Sequence, residues 1–123
     1  MEWKFKNGIP IYTQIVDEVT MRIASGAYAP GEKLPSVRDV AMEAGVNPNT
    51  MQRAMAELER VGLVYSERTS GRFVTKEEKI LKELHSKLAE RYFKELTDNL
   101  RKIGMSDAEI KESFEKWMKD IEG

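Results

Sequence analysis

The chain has 123 residues, 41% hydrophobic and 33% charged, with a formal net charge of -1 at pH 7, no cysteine and one histidine. A chain this long can bury a core without covalent staples, as one domain or as a small domain with an extension, and the absence of cysteine excludes disulfides and thiolate-bound metals. No apolar run reaches the roughly 20 residues that span a bilayer, and nothing at the amino terminus reads as a secretory leader, so the expectation is a cytoplasmic protein without a membrane partner.

From Ile11 to Ile23 the residues Ile11, Tyr12, Ile15, Val16, Val19 and Ile23 recur at intervals of three and four, which predicts a first helix. "SGAYAPGEKLPS" interrupts it with Gly26, Pro30, Gly31 and Pro35, leaving room for one short extended piece at Lys33 and Leu34. Ser36 is placed to cap a second helix that turns Val37, Val40 and Ala41 inward and ends at Gly45. Asn47 caps the third, and Pro48 stands at its first position, where the missing amide hydrogen costs nothing.

The third helix should run to about Val61 and close at Gly62. On a wheel of 100 degrees per residue, Met51, Ala54, Met55, Leu58 and Val61 fall on one side, while Asn49, Gln52, Arg53, Ala56 and Arg60 fall on the other. "LVYSE" and "RFVTK" have strand composition, and "RTSG" between them makes a hairpin turn. Beyond Thr75 come helix formers with no glycine or proline before Gly104, carrying an apolar stripe at Leu81, Leu84, Leu88, Tyr92, Leu96, Leu100 and Ile103. Ser106 and Glu109 form a capping box opening a last helix, with Ile110, Phe114, Trp117, Met118 and Ile121 on one side.

Two helices joined across "AGVN", preceded by a third and followed by a hairpin, make a winged helix-turn-helix arrangement. The run "LPSVRDVA", "GVNPNTMQRAM", "VGLV" and "GRFV", in that order, resembles the winged helix of the GntR family of bacterial transcription regulators, from roughly Ile9 to Thr75. The short helical tail is similar to that of the YtrA subfamily. The fold expected is therefore mainly α with a small β-hairpin wing: a winged helix-turn-helix over residues 1–75, then a two-helix dimerisation tail over 76–123.

The resemblance implies a regulator, specifically a repressor, binding a palindromic double-stranded DNA operator as a homodimer, with no cofactor and no metal; whether a small-molecule effector exists stays open. Arg38 in "LPSVR", with Ser36 before it, matches the family's DNA-reaching position, and Asn47, Asn49 and Thr50 match the polar entry to the recognition helix. Asn47 also serves as a cap alone. Gln52 suits adenine, and Arg53 suits guanine or a phosphate. At the wing, Arg68, Ser70, Gly71 and Arg72 are the DNA-facing set. The family pattern of glycine, any residue, glycine is altered there, since Thr69 holds the first glycine place, and Arg72 stands where threonine is common.

An isoelectric point near 5.9 argues against binding nucleic acid by bulk positive charge. Clustering answers it if Arg38, Arg53, Arg60, Arg68 and Arg72 share a face while Glu43, Glu57 and Glu59 lie elsewhere. In the tail, Leu81, Leu84, Leu88, Tyr92, Leu96, Phe114 and Trp117 are the candidate dimer interface, because the last helix is too short to cover the long stripe. No catalytic set is present: His85 has no cysteine, glycine-rich loop or metal-spaced partner near it in sequence. The rival reading is a winged helix that docks a protein; RNA binding is weaker, because no aromatic residue is available for stacking at the wing.

Overall fold

The computed structural model describes residues 2–123. Five helices and one hairpin follow in the order α1 (Ile11–Ser25), α2 (Val37–Ala44), α3 (Pro48–Arg60), β1 (Val64–Glu67), β2 (Gly71–Val74), α4 (Glu78–Lys102) and α5 (Asp107–Glu122). The chain divides into two compact units, the second being His85–Gly123, so that the division falls within α4. Among the described residues no helix is long and apolar enough to cross a membrane.

In the first unit the periodic apolar positions converge as their spacing requires. Ile15, Val19 and Ile23 of α1, Val40 and Ala41 of α2, and Met51, Ala54, Met55 and Leu58 of α3 form one buried cluster, closed below by Leu34, Leu63, Val64 and Val74. The starts of α2 and α3 are each satisfied by a side-chain cap. Ser36 accepts from the Asp39 amide at 3.1 Å, and Asn47 accepts from the Asn49 amide at 2.7 Å. The turn between α2 and α3 hinges on Gly45, whose φ of 70° is left-handed and lets its amide reach back to the last turn of α2.

The α3 helix stops one residue earlier than its sequence suggests. Val61 becomes the cap residue and is 48% exposed, leaving the buried face to Met51, Ala54, Met55 and Leu58. The hairpin pairs antiparallel in the register Val64↔Val74, Tyr65↔Phe73, Ser66↔Arg72 and Glu67↔Gly71. The extended piece expected at Lys33 and Leu34 is present as an isolated bridge, Lys33↔Phe73, with the Leu34 amide donating to the Arg72 carbonyl at 2.9 Å. It covers one edge of the hairpin.

Arg22 is buried and fully employed. Its guanidinium donates to the Tyr28 hydroxyl at 3.0 Å, to Glu18 at 3.3 Å and to the Glu2 carbonyl at 3.0 Å, and lies 4.0 Å over the Trp3 ring. A buried charge persists only with such partners, and here they tie the residues before α1 to its last turn. In the second unit the expected capping box is complete, Ser106 and Glu109 each satisfying the other's backbone amide. Ile110 is buried there, while Phe93, Trp117 and Ile121 are each 57% exposed.

Leu58 is fully buried beneath α3. Its truncation in Leu58→Ala should lower unfolding free energy by about 2–5 kcal/mol, checked by urea denaturation followed by circular dichroism. A change under about 0.5 kcal/mol would place Leu58 outside the core.

Candidate nucleic-acid interface

The α3 helix presents opposite chemistry on its two sides because one side is committed to the core. With Met51, Ala54, Met55 and Leu58 sealed, Asn49, Gln52, Arg53 and Ala56 necessarily project outward, and all four are exposed. Thr50 is half-buried at the helix start. Arg38 is exposed in the first turn of α2, and Ser36 just before it is exposed with its hydroxyl engaged as the cap. Asn47 likewise has its side-chain oxygen committed to capping.

The hairpin stands beside this face. An open cleft of about 940 Å³ separates the hairpin from the 33–39 segment that leads into α2, lined among others by Lys33, Ser36, Asp39, Arg68, Ser70 and Arg72, with Met55 the one α3 residue that reaches it. Arg68 and Ser70 are exposed at the turn, whereas Arg72 is held down: its Nε donates to Glu59 at 3.3 Å and its Nη1 to the side-chain oxygen of Gln52 at 3.3 Å. Glu59 also accepts from the Ser66 hydroxyl.

The sequence expectation that Glu57 and Glu59 lie away from the arginines is corrected here. Glu57 accepts from Arg60 within the last turns of α3, at 2.7 Å from Nη2, and Glu59 pairs with Arg72. Both positions follow Gln52 and Arg53 along the same helix, and the acids balance their arginines within the site. Arg53 has a neighbour too, since its guanidinium lies 4.9 Å over the Tyr12 ring of α1. Tyr12, Lys33 and Glu59 are the parts of the site that sequence reasoning missed. Only Glu59 left a signal, seven residues after Gln52 and so two turns along the same face.

A family model described as "Bacterial regulatory proteins, gntR family" matches residues 11–74. The chain belongs to the GntR family. It is 32% identical over 117 residues to the HTH-type transcriptional repressor YtrA of Bacillus subtilis (strain 168), a match that covers 94% of this chain and 87% of the relative. Among solved structures, a GntR family transcriptional regulator from Listeria monocytogenes superposes with a TM-score of 0.81 at 34% identity, over 94% of this chain and 98% of that one. The DNA-binding domain of AraR in complex with operator ORX1 gives a TM-score of 0.56 at 29% identity, over 61% of this chain and 96% of the other. The chain is thus a GntR-type, YtrA-like regulator with a winged helix-turn-helix.

Within this GntR wing, the threonine at the first glycine place causes no backbone strain. Among the described residues no non-glycine has a positive φ, so Thr69 sits in ordinary backbone while the Ser70 amide closes the turn onto the Glu67 carbonyl at 3.2 Å. Gly71 is the position that needs glycine. Its φ is +110°, and an added Cβ would stand 3.2 Å from the Lys33 Cε.

The hydrogen bond from Ser66, with a smaller contribution from Arg72, holds the Glu59 carboxyl below its ordinary value despite some opposing desolvation. A depressed native pKa stabilises the fold above the ordinary glutamate range, and the contribution is lost as pH falls through the native value. The stability difference between the wild type and Glu59→Gln should therefore be largest near neutrality and shrink on acidification to about pH 3. Denaturant midpoints across that range check it. A difference that grows on acidification would contradict the pairing.

Proposed function

We propose that the chain is a transcriptional repressor that binds a palindromic operator as a homodimer, with α3 in the major groove and the 68–72 wing on the backbone or minor groove. The observation that carries this reading is the exposed Asn49, Gln52 and Arg53 face, held rigid by the buried opposite side of α3. Short amides and a guanidinium on a helix suit a groove about 12 Å wide whose base edges offer distinct donors and acceptors. The operator complex of the related AraR domain and the repressor YtrA support the same reading.

Roles divide by position. Arg38, with Ser36, Asn49 and Thr50, meets phosphate at the starts of α2 and α3, where helix ends favour anions. Asn47 acts by fixing the first turn of α3. Gln52 and Arg53 read bases, and Arg68, Ser70, Gly71 and Arg72 form the wing contact or support it. DNA binding is assigned to residues 1–75.

Dimerisation is assigned to residues 76–123. The support is the apolar surface left outside the core of the second unit, where Tyr92, Leu96, Phe114 and Trp117 are all exposed and Phe114 stacks with Trp117 at a ring separation of 6.3 Å. Leu88 is half-buried between the two ends of the stripe. Leu81 and Leu84 pack against the winged-helix core and contribute only the area that remains. A twofold partner also suits a palindrome, because a helix-turn-helix dimer reads two half-sites.

In gel-shift and fluorescence titrations, Arg53→Ala should weaken specific binding by about 1–3 kcal/mol and relax preference at one base position per half-site. Arg38→Ala should weaken binding to all sequences together and lower the salt slope by about 1. Normal operator binding by both Arg53→Ala and Gln52→Ala would remove α3 from the major groove; a winged helix that docks a protein would then be the better reading.

Leu88→Glu with Leu96→Glu places charge on a surface that a partner must desolvate. The variant should sediment as a monomer and lose specific DNA affinity by orders of magnitude, because linked half-sites no longer share an effective concentration. Wild-type protein that sediments as a monomer at micromolar concentration and binds its operator as one copy would overturn the dimer.

A further inference from the structure

Arg72 of the wing does not stand as an open phosphate contact. It lies across α3, with its Nε on Glu59 and its Nη1 on Gln52, both at 3.3 Å, and its side chain is only 22% exposed. Glu59 and Gln52 are seven residues apart, so one guanidinium spans two turns of the helix. On the hairpin, Ser66 faces Arg72 in the register and donates to the same Glu59 carboxylate oxygen, Oε1. The wing arginine is thereby neutralised and fixed between a carboxylate and an amide.

That geometry constrains the amide. A guanidinium has donors only, so the atom of Gln52 that meets it is the carbonyl oxygen Oε1, and the amide NH2 is the end turned away from Arg72. Glutamine recognises adenine by accepting from N6 while donating to N7, which requires Oε1 to aim at the base. Here Oε1 is aimed at the wing, where it accepts from a charged donor. Gln52 then meets a base edge with its two N–H donors, which match an acceptor edge: N7 and O6 of guanine, or O4 of thymine.

We infer that Arg72 is a positioning residue that presets Gln52 to donate, so that the wing selects guanine or thymine over adenine at the base Gln52 reads. The inference rests on the proposed placement of α3 in the major groove. It differs from a phosphate role for the same arginine, because the positive charge is already matched by Glu59 and the effect acts through a neighbour's orientation.

The test uses the full-length protein and selection from a randomised double-stranded DNA library, followed by titrations on operators varied one base at a time. Gln52→Ala locates the base position. At that position the wild type should prefer guanine or thymine. Arg72→Ala should move the preference toward adenine by roughly tenfold, leave the slope of log affinity against log salt unchanged, and add nothing at that position in the Gln52→Ala background. Arg72→Lys keeps the charge but not the fork, and should show the same shift, which a purely electrostatic role would not give. Circular dichroism melts confirm that the variants are folded.

A uniform loss for Arg72→Ala with the salt slope reduced by about 1 would show a phosphate contact and overturn the inference. So would an adenine preference already present in the wild type, or an altered preference at a base other than the one located by Gln52→Ala. If Gln52→Ala and Arg53→Ala both left selection unchanged, the placement of α3 itself would be wrong, an outcome distinct from the others.

Discussion

Everything at this surface depends on the burial of one side of α3. Met51, Ala54 and Leu58 have no exposed area and Met55 has almost none, and burying such side chains stabilises by about 1.5–3 kcal/mol for each of the larger ones. A helix pinned that firmly cannot rotate about its axis without exposing them, so the direction in which Gln52 and Arg53 project is set by the core. Asn47 and Pro48 fix where the helix begins, and thus which residues occupy its first turn. The hairpin is anchored to the same cluster through Val64 and Val74. Recognition helix and wing are consequently two outward faces of one packed body, and the hydrogen bonds from Arg72 to α3 cross the short gap between them.

The near-neutral charge of the chain acquires a local meaning from these contacts. Arg60 is paired with Glu57, Arg72 with Glu59, and Arg53 rests over Tyr12. Exposed ion pairs of this kind add little stability. Their consequence is to hold long side chains in defined places and to reduce the uncompensated charge facing a polyanion. Arg38, Arg53 and Arg68 are left as the exposed arginines of the surface without an acidic partner among the described residues, Arg53 having only the Tyr12 ring beside it. A site built this way draws less of its affinity from counterion release than a strongly basic one, and more from the fit of oriented side chains.

The parts of the fold legible in the sequence were those written in local signals. Ser36, Asn47 with Pro48, Gly45 and the Ser106–Glu109 box each state a helix end through their own backbone chemistry, and the structure uses each one. The inward face of α3 was equally legible, apart from Val61, where the helix closed one residue early and the side chain left the core. Long-range pairings were not legible. Arg22 is not among the periodic apolar positions of α1, and nothing in the spacing announces Trp3 and Tyr28 as its partners. Tyr12 is one of the periodic positions that predict α1, and its contact with Arg53 arises only once α1 packs on α3. The acids of α3 were misplaced for a related reason: a net charge adds residues without regard to which face they share.

The stripe that begins at Leu81 does two jobs that a periodicity cannot separate. Leu81 and Leu84 are half-buried against the core of the first unit, while Tyr92 and Leu96, on the same helix and at the same spacing, remain exposed. The break between those fates coincides with the division of the chain after Leu84. Beyond it, Phe93 adds a large exposed ring that the stripe did not include, and Leu96, Leu100, Phe114 and Trp117 line a shallow apolar hollow with Ser113. A unit in which Ile110 is the one buried hydrophobic among the described residues cannot by itself account for so much aromatic surface. Contiguous exposed patches of this kind mark contact sites more often than idle surface, and an isologous contact would use every one of these side chains twice, once in each copy. In the proposed dimer the anchors on α5 would then be shared by both protomers, and the same pairing would bring two copies of α3 to the proposed palindrome.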